Sequence, residues 1–390
     1  MGNETDERST GASINRFQAM NLFLVAGEPS GDRLGAALMA GLKNLHPGVT
    51  FTGVGGPMMA AEGLASLFPM EELSIMGIAE VLPKYLHLKR RIAQVAAEVI
   101  AQSPAALITI DSPDFCFRVA KLVKAATPAQ RTIHYVAPSV WAWRPGRAAK
   151  IAAFIDHVLA LLPFEPPYMT AHGMSCDFVG HPVVAEPLAT PQPQTTPLLL
   201  ALPGSRNAEV TRLMPIFGQI AGQLAASHPG LRVALPTVRG VAGLVRDMAA
   251  GWPVAPDVIE DAGHKRQAFA DATVALAASG TVSLELAANC CPMVIAYDMN
   301  PVTLWLMRRA ALVDTVTLVN LVSETRHVPE FIGTRFTAAL ITPALANLMI
   351  ASSARAAQTL AMQITMERLG FGGTPPGLRA AHSVLAVIQR

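Results

Sequence analysis

Two stretches of this chain share one construction. Leu22–Ala26 is an apolar run that breaks into Gly27-Glu-Pro-Ser-Gly-Asp32 and continues as an amphipathic segment to about Leu45. Leu198–Leu202 breaks the same way into Pro203-Gly-Ser-Arg-Asn-Ala-Glu209, again followed by an amphipathic segment. Each reads as strand, tight loop of small residues, helix. That unit offers backbone N–H groups and a helix N-terminus to an anion. Two such units predict an α/β protein of two Rossmann-like domains, with mainly parallel sheets, facing across a cleft.

The pattern between and after the two units supports this. Further strands are expected at Thr50–Val54, Ala106–Ile110, Thr132–Val136, His157–Leu161 and Cys176–Phe178. The second half adds Leu231–Pro236, Val258–Ile259, Thr273–Ala277, Met293–Ala296 and Thr315–Leu318. Helical periodicity lies between most of them, as parallel sheets with right-handed crossovers require. The segment 187–197 is proline-rich and reads as a linker. The expected division is a polar, disordered extension at 1–19, an N-terminal domain at 20–186, a C-terminal domain at 198–350 and helices at 351–390. Met20 is an alternative start. The last helices would pack back on the N-terminal domain or on a partner subunit, as in a homodimer.

Composition narrows the function. A net charge of +2 gives no bulk electrostatic case for nucleic acid. No uncharged apolar run reaches the roughly eighteen residues of a membrane span. The four cysteines have no C-x-x-C spacing, so reduced thiols are favoured over a disulfide frame or a metal site.

Six segments could carry chemistry or binding. In the first loop, Glu28 and Ser30 stand at a strand's C-terminal edge, where ligands of open sheets bind. Asp32 there is either functional or a turn cap. Asp111 follows the strand Ala106–Ile110 and is a candidate general base. Pro113 keeps Ser112 out of the helical region, and Asp114 is placed to cap the next helix. The segment His134–Arg147 holds Trp141, Trp143 and Arg144, which would build either a binding wall or an amphipathic core edge. In the second half, Gly204, Ser205 and Arg206 combine a tight turn, a helix N-terminus and a guanidinium, a diphosphate site. Ser279, Gly280 and Thr281 open another such loop. Glu285, one turn on, would accept from ribose hydroxyls or serve as an N-terminal acid favoured by the dipole. Finally, residues 68–91 crowd Met70, Ile75, Met76, Ile78, Leu82 and Leu86 among Lys84, Lys89, Arg90 and Arg91. This suits an anionic bilayer or acyl chains, or equally a core helix with a solvated basic end.

Taken together, these segments resemble the lipid-A-disaccharide synthase family. The matches include V-A-G-E-P-S-G-D at 25–32, G-V-G-G-P-M-M at 53–59, M-G-I-A-E-V-L at 76–82 and I-D-S-P-D-F at 110–115. H-Y-V-A-P-S-V-W-A-W-R at 134–144, L-P-F-E at 162–165 and F-V-G-H-P at 178–182 continue the series. L-P-G-S-R-x-A-E-V at 202–210, A-A-S-G-T-V-S-L-E at 277–285 and L-V-N-L at 318–321 complete it. Pro29 stands where alanine is common in the family, and Cys116 where asparagine is common. The resemblance implies a GT-B, inverting glycosyltransferase without organic cofactor or metal. It would join UDP-2,3-diacylglucosamine to 2,3-diacylglucosamine 1-phosphate at the cytoplasmic face of the Gram-negative inner membrane, as a peripheral protein. It also implies roles: Asp111 as base, Arg206 on the diphosphate, Glu285 and Asn320 in the donor site, Glu28 and Ser30 on the acceptor side. A soluble-sugar enzyme of the same fold, such as a 2-epimerase, and an inactive lipid-binding relative are the alternatives.

Overall fold

The computed structural model describes residues 20–73 and 81–389, with side chains given except at 81–85. The expected extension at 1–19 lies outside the described residues. By contacts the chain divides into two compact units, one running through Ile133 and taking in the end from Val384, the other His134–Ser383.

One sheet contains β1 (Met20–Ala26), β2 (Val49–Val54), β3 (Ala65–Ser66), β4 (Ala106–Ile110), β5 (Thr132–Tyr135), β6 (His157–Ala160) and β7 (Ser175–Phe178). Their order is β3-β2-β1-β4-β5-β6-β7. A second sheet contains β8 (Leu198–Leu202), β9 (Arg232–Pro236), β10 (Asp257–Ile259), β11 (Val274–Ala277), β12 (Met293–Tyr297) and β13 (Glu330–Ile332), in the order β10-β9-β8-β11-β12-β13. β1 runs parallel to β2 and β4, and β8 runs parallel to β9 and β11. In each sheet the order reverses beside the first strand. The loops after β1 and β4 therefore leave the first sheet at its switch point, and those after β8 and β11 leave the second at its own. Open α/β sheets bind ligands there.

Alternation along β8 shows why this strand is wholly apolar. Leu199 and Ala201 join a core with Val210, Leu213, Phe217 and Ile220 of the helix Asn207–Ser227. Leu198, Leu200 and Leu202 face the opposite core, with Leu284, Val319 and Met362. A strand covered on both faces needs apolar side chains at both parities.

The expected strand Thr315–Leu318 is not one. Thr315 and Thr317 are buried, but the Glu330 carboxylate holds this stretch as a loop. It accepts from the N–H groups of Val316 (3.1 Å) and Thr317 (2.9 Å) and from the Thr315 hydroxyl. The chain then enters the helix Leu318–Ser323.

Asp32 is the buried linchpin of the first unit. Its carboxylate accepts from the N–H groups of Gly56 (2.9 Å), Met58 (3.0 Å) and Met59 (2.9 Å), capping the short helix Pro57–Ala61. It is engaged in this turn and does not face a ligand. A Cβ on Gly56 would lie 2.6 Å from Asp32 Oδ2. Asp32→Ala strands three N–H groups, and we expect a loss of about 3 kcal/mol in urea unfolding. An unchanged midpoint would mean that water replaces the carboxylate at no cost.

The helix Pro376–Ile388 packs against β6 and β7. The buried His157 ring lies between Ser175 Oγ (2.7 Å) and Ser383 Oγ (2.8 Å), and Ser383 donates to Asp177 (2.6 Å). Arg379 donates to the Phe178 carbonyl (2.7 Å) and stacks on its ring. The loop between Gly370 and Pro376 breaks the terminal helices as the sequence suggests.

Candidate functional site

In the first unit, the chain leaves β4 through two consecutive left-handed residues, Asp111 (φ 52°) and Ser112 (φ 42°), before Pro113 opens the helix Pro113–Ala126. Proline denies Ser112 the right-handed helical region. Left-handed backbone costs a non-glycine residue about 1 kcal/mol or more, and such strain gathers at functional positions. Here it carries Asp111 out of the strand, half-buried, to meet the loop after β1. Ser30 Oγ donates to Asp111 Oδ2 at 3.2 Å. Glu28 precedes the helix Pro29–Leu45 and Ser30 lies in its first turn, both exposed. Ser112 Oγ is buried with no hydrogen-bond partner among the described residues, 2.7 Å from where a Cβ on Gly27 would stand. Only glycine leaves room for it. Cys116 is buried beneath Asp111 and Glu28. Burial, then those two carboxylates, push its thiol far up, so it is no nucleophile.

In the second unit, the loops after β8, β9 and β11 line a cavity of about 370 Å³. Gly204, Ser205, Arg206, Ser279, Gly280, Thr281 and Glu285 all border it. Gly204 has φ 103°, and a Cβ there would lie 2.5 Å from Glu209 Oε2. Arg206 precedes the 21-residue helix Asn207–Ser227, its side chain 76% exposed.

The sequence reading missed three contributors. Glu209 shapes the turn: its carboxylate accepts from Ser205 N–H (3.3 Å), Arg206 Nη1 (3.1 Å) and the Tyr297 hydroxyl (3.2 Å). Burial and this carboxylate push the Tyr297 phenol up. Lys265 adds a second cation to the cavity wall and donates to Glu285 at 2.9 Å. Thr237, just beyond β9, contributes a buried hydroxyl without a partner among the described residues. An orphan hydroxyl in a cavity wall suits a polar ligand. The A-E at 208–209 was visible in the sequence, but its inward direction was not. Lys265 lies on the helix Ala262–Asp271, outside any loop motif.

Several expected residues fall elsewhere. Asn320 is buried away from the cavity. Its amide donates to Thr315 Oγ1 (3.2 Å) and the Val328 carbonyl (2.9 Å) and accepts from Val328 N–H (3.0 Å). It holds the 315–317 loop, whose Val316 carbonyl accepts from Ser279 Oγ (3.2 Å). Trp141 belongs to the interior, not to an exposed wall. Its ring stands edge-on to Phe164 and its N–H donates to Glu165 (3.2 Å). Glu165 is itself buried, and desolvation pushes its carboxyl up to about 7 against the pull of its three donors. Trp143 and Arg144 are exposed, with the Arg144 guanidinium 4.0 Å above the Trp143 ring.

The stretch 68–91 also divides. Met70 is buried against the Gly56 turn, so it is core and not an acyl contact. Ile75, Met76, Ile78 and the Leu82 side chain lie outside the described residues. Leu86 is exposed on the helix Val81–Gln102. Arg91 is not free for a membrane, because it is paired with Glu72 at 2.7 Å and stacked on Phe68. No described helix is long and apolar enough to cross a membrane. No cluster of three metal-ligating side chains occurs among the described residues.

Comparison with known proteins converges on one family. Residues 22–372 match the family model described as lipid-A-disaccharide synthetase. The lipid-A-disaccharide synthase of Ruegeria pomeroyi is 59% identical over 384 residues, covering 94% of this chain and 95% of that protein. The one from Rhodospirillum centenum is 47% identical, covering 95% of each. Among solved structures, the fold is similar to UDP-GlcNAc 2-epimerase of Neisseria meningitidis bound to UDP-GlcNAc, with a TM-score of 0.64 at 11% identity over 95% of this chain and 100% of that one. It is also similar to the calicheamicin glycosyltransferase, with a TM-score of 0.58 at 17% identity over 96% and 99%. These likenesses establish the two-domain GT-B architecture of parallel sheets. With a model match over most of its length and relatives at this identity, the chain belongs to the lipid-A-disaccharide synthase family.

Proposed function

We propose that the two switch points divide the labour of the family's reaction, the second binding the nucleotide and the first serving the acceptor. The enzyme is a glycosyltransferase of lipid A biosynthesis. It joins UDP-2,3-diacylglucosamine to 2,3-diacylglucosamine 1-phosphate and releases UDP. The observation that carries the assignment is the cavity at β8 and β11, whose lining includes a helix N-terminus, Arg206 and Lys265. In this reading Gly204, Ser205, Ser279, Gly280 and Thr281 receive the diphosphate. Glu285 and Thr237 face the ribose or base. Arg206 and Lys265 stabilise charge as the β-phosphate leaves, where electrostatic help lowers the barrier. Asn320 acts through Thr315 and Val316 to position Ser279.

Asp111 takes the proton from the acceptor's primary hydroxyl as that oxygen attacks the anomeric carbon, inverting it. Ser30 fixes the carboxylate's orientation, and Glu28, Trp143 and Arg144 serve the acceptor side. Helix 81–102, through Leu86 with Lys89 and Arg90, rests on the cytoplasmic face of the inner membrane. The helix Ser353–Arg368 belongs to the core of the second sheet through Met362, and in this reading only the helix Pro376–Ile388 completes the first sheet, in the same chain or in a homodimer partner.

Incubation with both acylated substrates tests the assignment. Mass spectrometry is expected to show one disaccharide 1-phosphate and one UDP per turnover. Interconversion of UDP-sugar isomers without a disaccharide would instead support the epimerase reading.

A further inference from the structure

Helix Pro301–Ala310 contains no buried residue. Leu304, its one half-buried residue, turns towards Gly333, where an added Cβ would lie 2.3 Å from Leu304 Cδ2 and 3.7 Å from Arg308 Nη2. On a helical wheel the opposite side carries Val302, Trp305, Leu306 and Arg309, spaced i, i+3, i+4 and i+7. These apolar side chains are 66%, 56% and 54% exposed. The cation of Arg309 lies 5.1 Å from the Trp305 ring, and Arg308 is exposed at the flank of this face, on the Leu304 side.

The same face continues onto a second segment. Leu312, itself exposed, donates its N–H to the Ala142 carbonyl at 2.9 Å. That bond pins the end of the helix beside Trp143 and Arg144, the second exposed tryptophan–arginine stack.

We propose that this helix, with the Trp143–Arg144 turn, is a docking surface for an anionic lipid bilayer. The chemistry selects this occupant. Tryptophan with arginine over it is an apolar body with a cationic cap, suited to the headgroup boundary. The carboxylates next in sequence are taken, Asp298 by Arg212 (3.2 Å) and Asp314 by Arg326 (3.1 Å). No described carboxylate pairs with Arg308, Arg309 or Arg144. Two copies of this face would set arginines against arginines, whereas phosphate headgroups complement them. None of its residues lines the nucleotide cavity, and the Trp143–Arg144 turn joins it to the acceptor side, whose substrate is itself held in a bilayer. It goes beyond the proposed function and rests only on that reading's bilayer-bound substrates for its purpose.

The test uses the full chain and vesicles of phosphatidylglycerol with phosphatidylcholine, read by co-sedimentation. W305S/L306S and R308E/R309E are each expected to lower the bound-to-free ratio by about tenfold or more. Added salt should weaken the wild type and leave R308E/R309E nearly unchanged. Turnover on detergent-dispersed substrates should be unaffected, which separates this surface from the catalytic assignment. Circular dichroism verifies folding, and L86S reports the 68–91 contribution separately. Wild-type sedimentation by both double variants overturns the proposal. So does a change in oligomeric state with vesicle binding intact, which would make the face a contact between copies.

Discussion

Asp111→Asn is expected to lower turnover roughly 10²–10⁴-fold, the usual contribution of a general base, while UDP affinity stays unchanged. Asparagine is the informative replacement. It tolerates the left-handed backbone at this position, so the strained exit from β4 survives and only the basic oxygen is lost. Alanine removes the same oxygen but adds backbone cost, and should appear less stable as well as slow. Ser30→Ala should be milder, because its hydroxyl orients the carboxylate through one 3.2 Å bond without supplying charge. A rate near wild type for the asparagine variant would leave Asp111 only a turn-forming role.

Calorimetry on Arg206→Ala should show UDP binding weakened by roughly 10–100-fold, the loss of one or two charge-assisted hydrogen bonds. Arg206→Lys should recover part of this, since the charge returns without the planar fork. Glu209 sharpens the expectation. It engages Arg206, Ser205 and Tyr297, so a diphosphate competes with an internal carboxylate for the guanidinium. Glu209→Gln should therefore retain the turn with a weaker hold on Arg206, and bind UDP no more weakly than wild type. Unaltered affinity in Arg206→Ala would move the diphosphate towards Lys265.

What the sequence revealed follows from the range of the interactions involved. β4 and β8 fall where their apolar runs predict, because both are buried on two faces and bounded by small or polar residues. β3 and β13, two and three residues long, carry no periodicity to read. Loops 204–206 and 279–281 were legible because glycine and hydroxyl residues mark tight turns locally. Lys265, Glu209 and Thr237 were not, since their relevance depends on which way a helix or strand end faces. Asn320 illustrates the opposite case: a motif drew attention to a residue whose amide works one layer behind the cavity. Trp141 and Met70 show that composition alone does not separate an apolar wall from an apolar interior.

The clasp around His157 also bears on biosynthesis. Its serine on the terminal helix follows the histidine by 226 residues. At ribosomal rates that is roughly 10–45 s of elongation. During that interval the flank formed by β6 and β7 lacks its covering helix, a window in which chaperone capture competes with sheet completion.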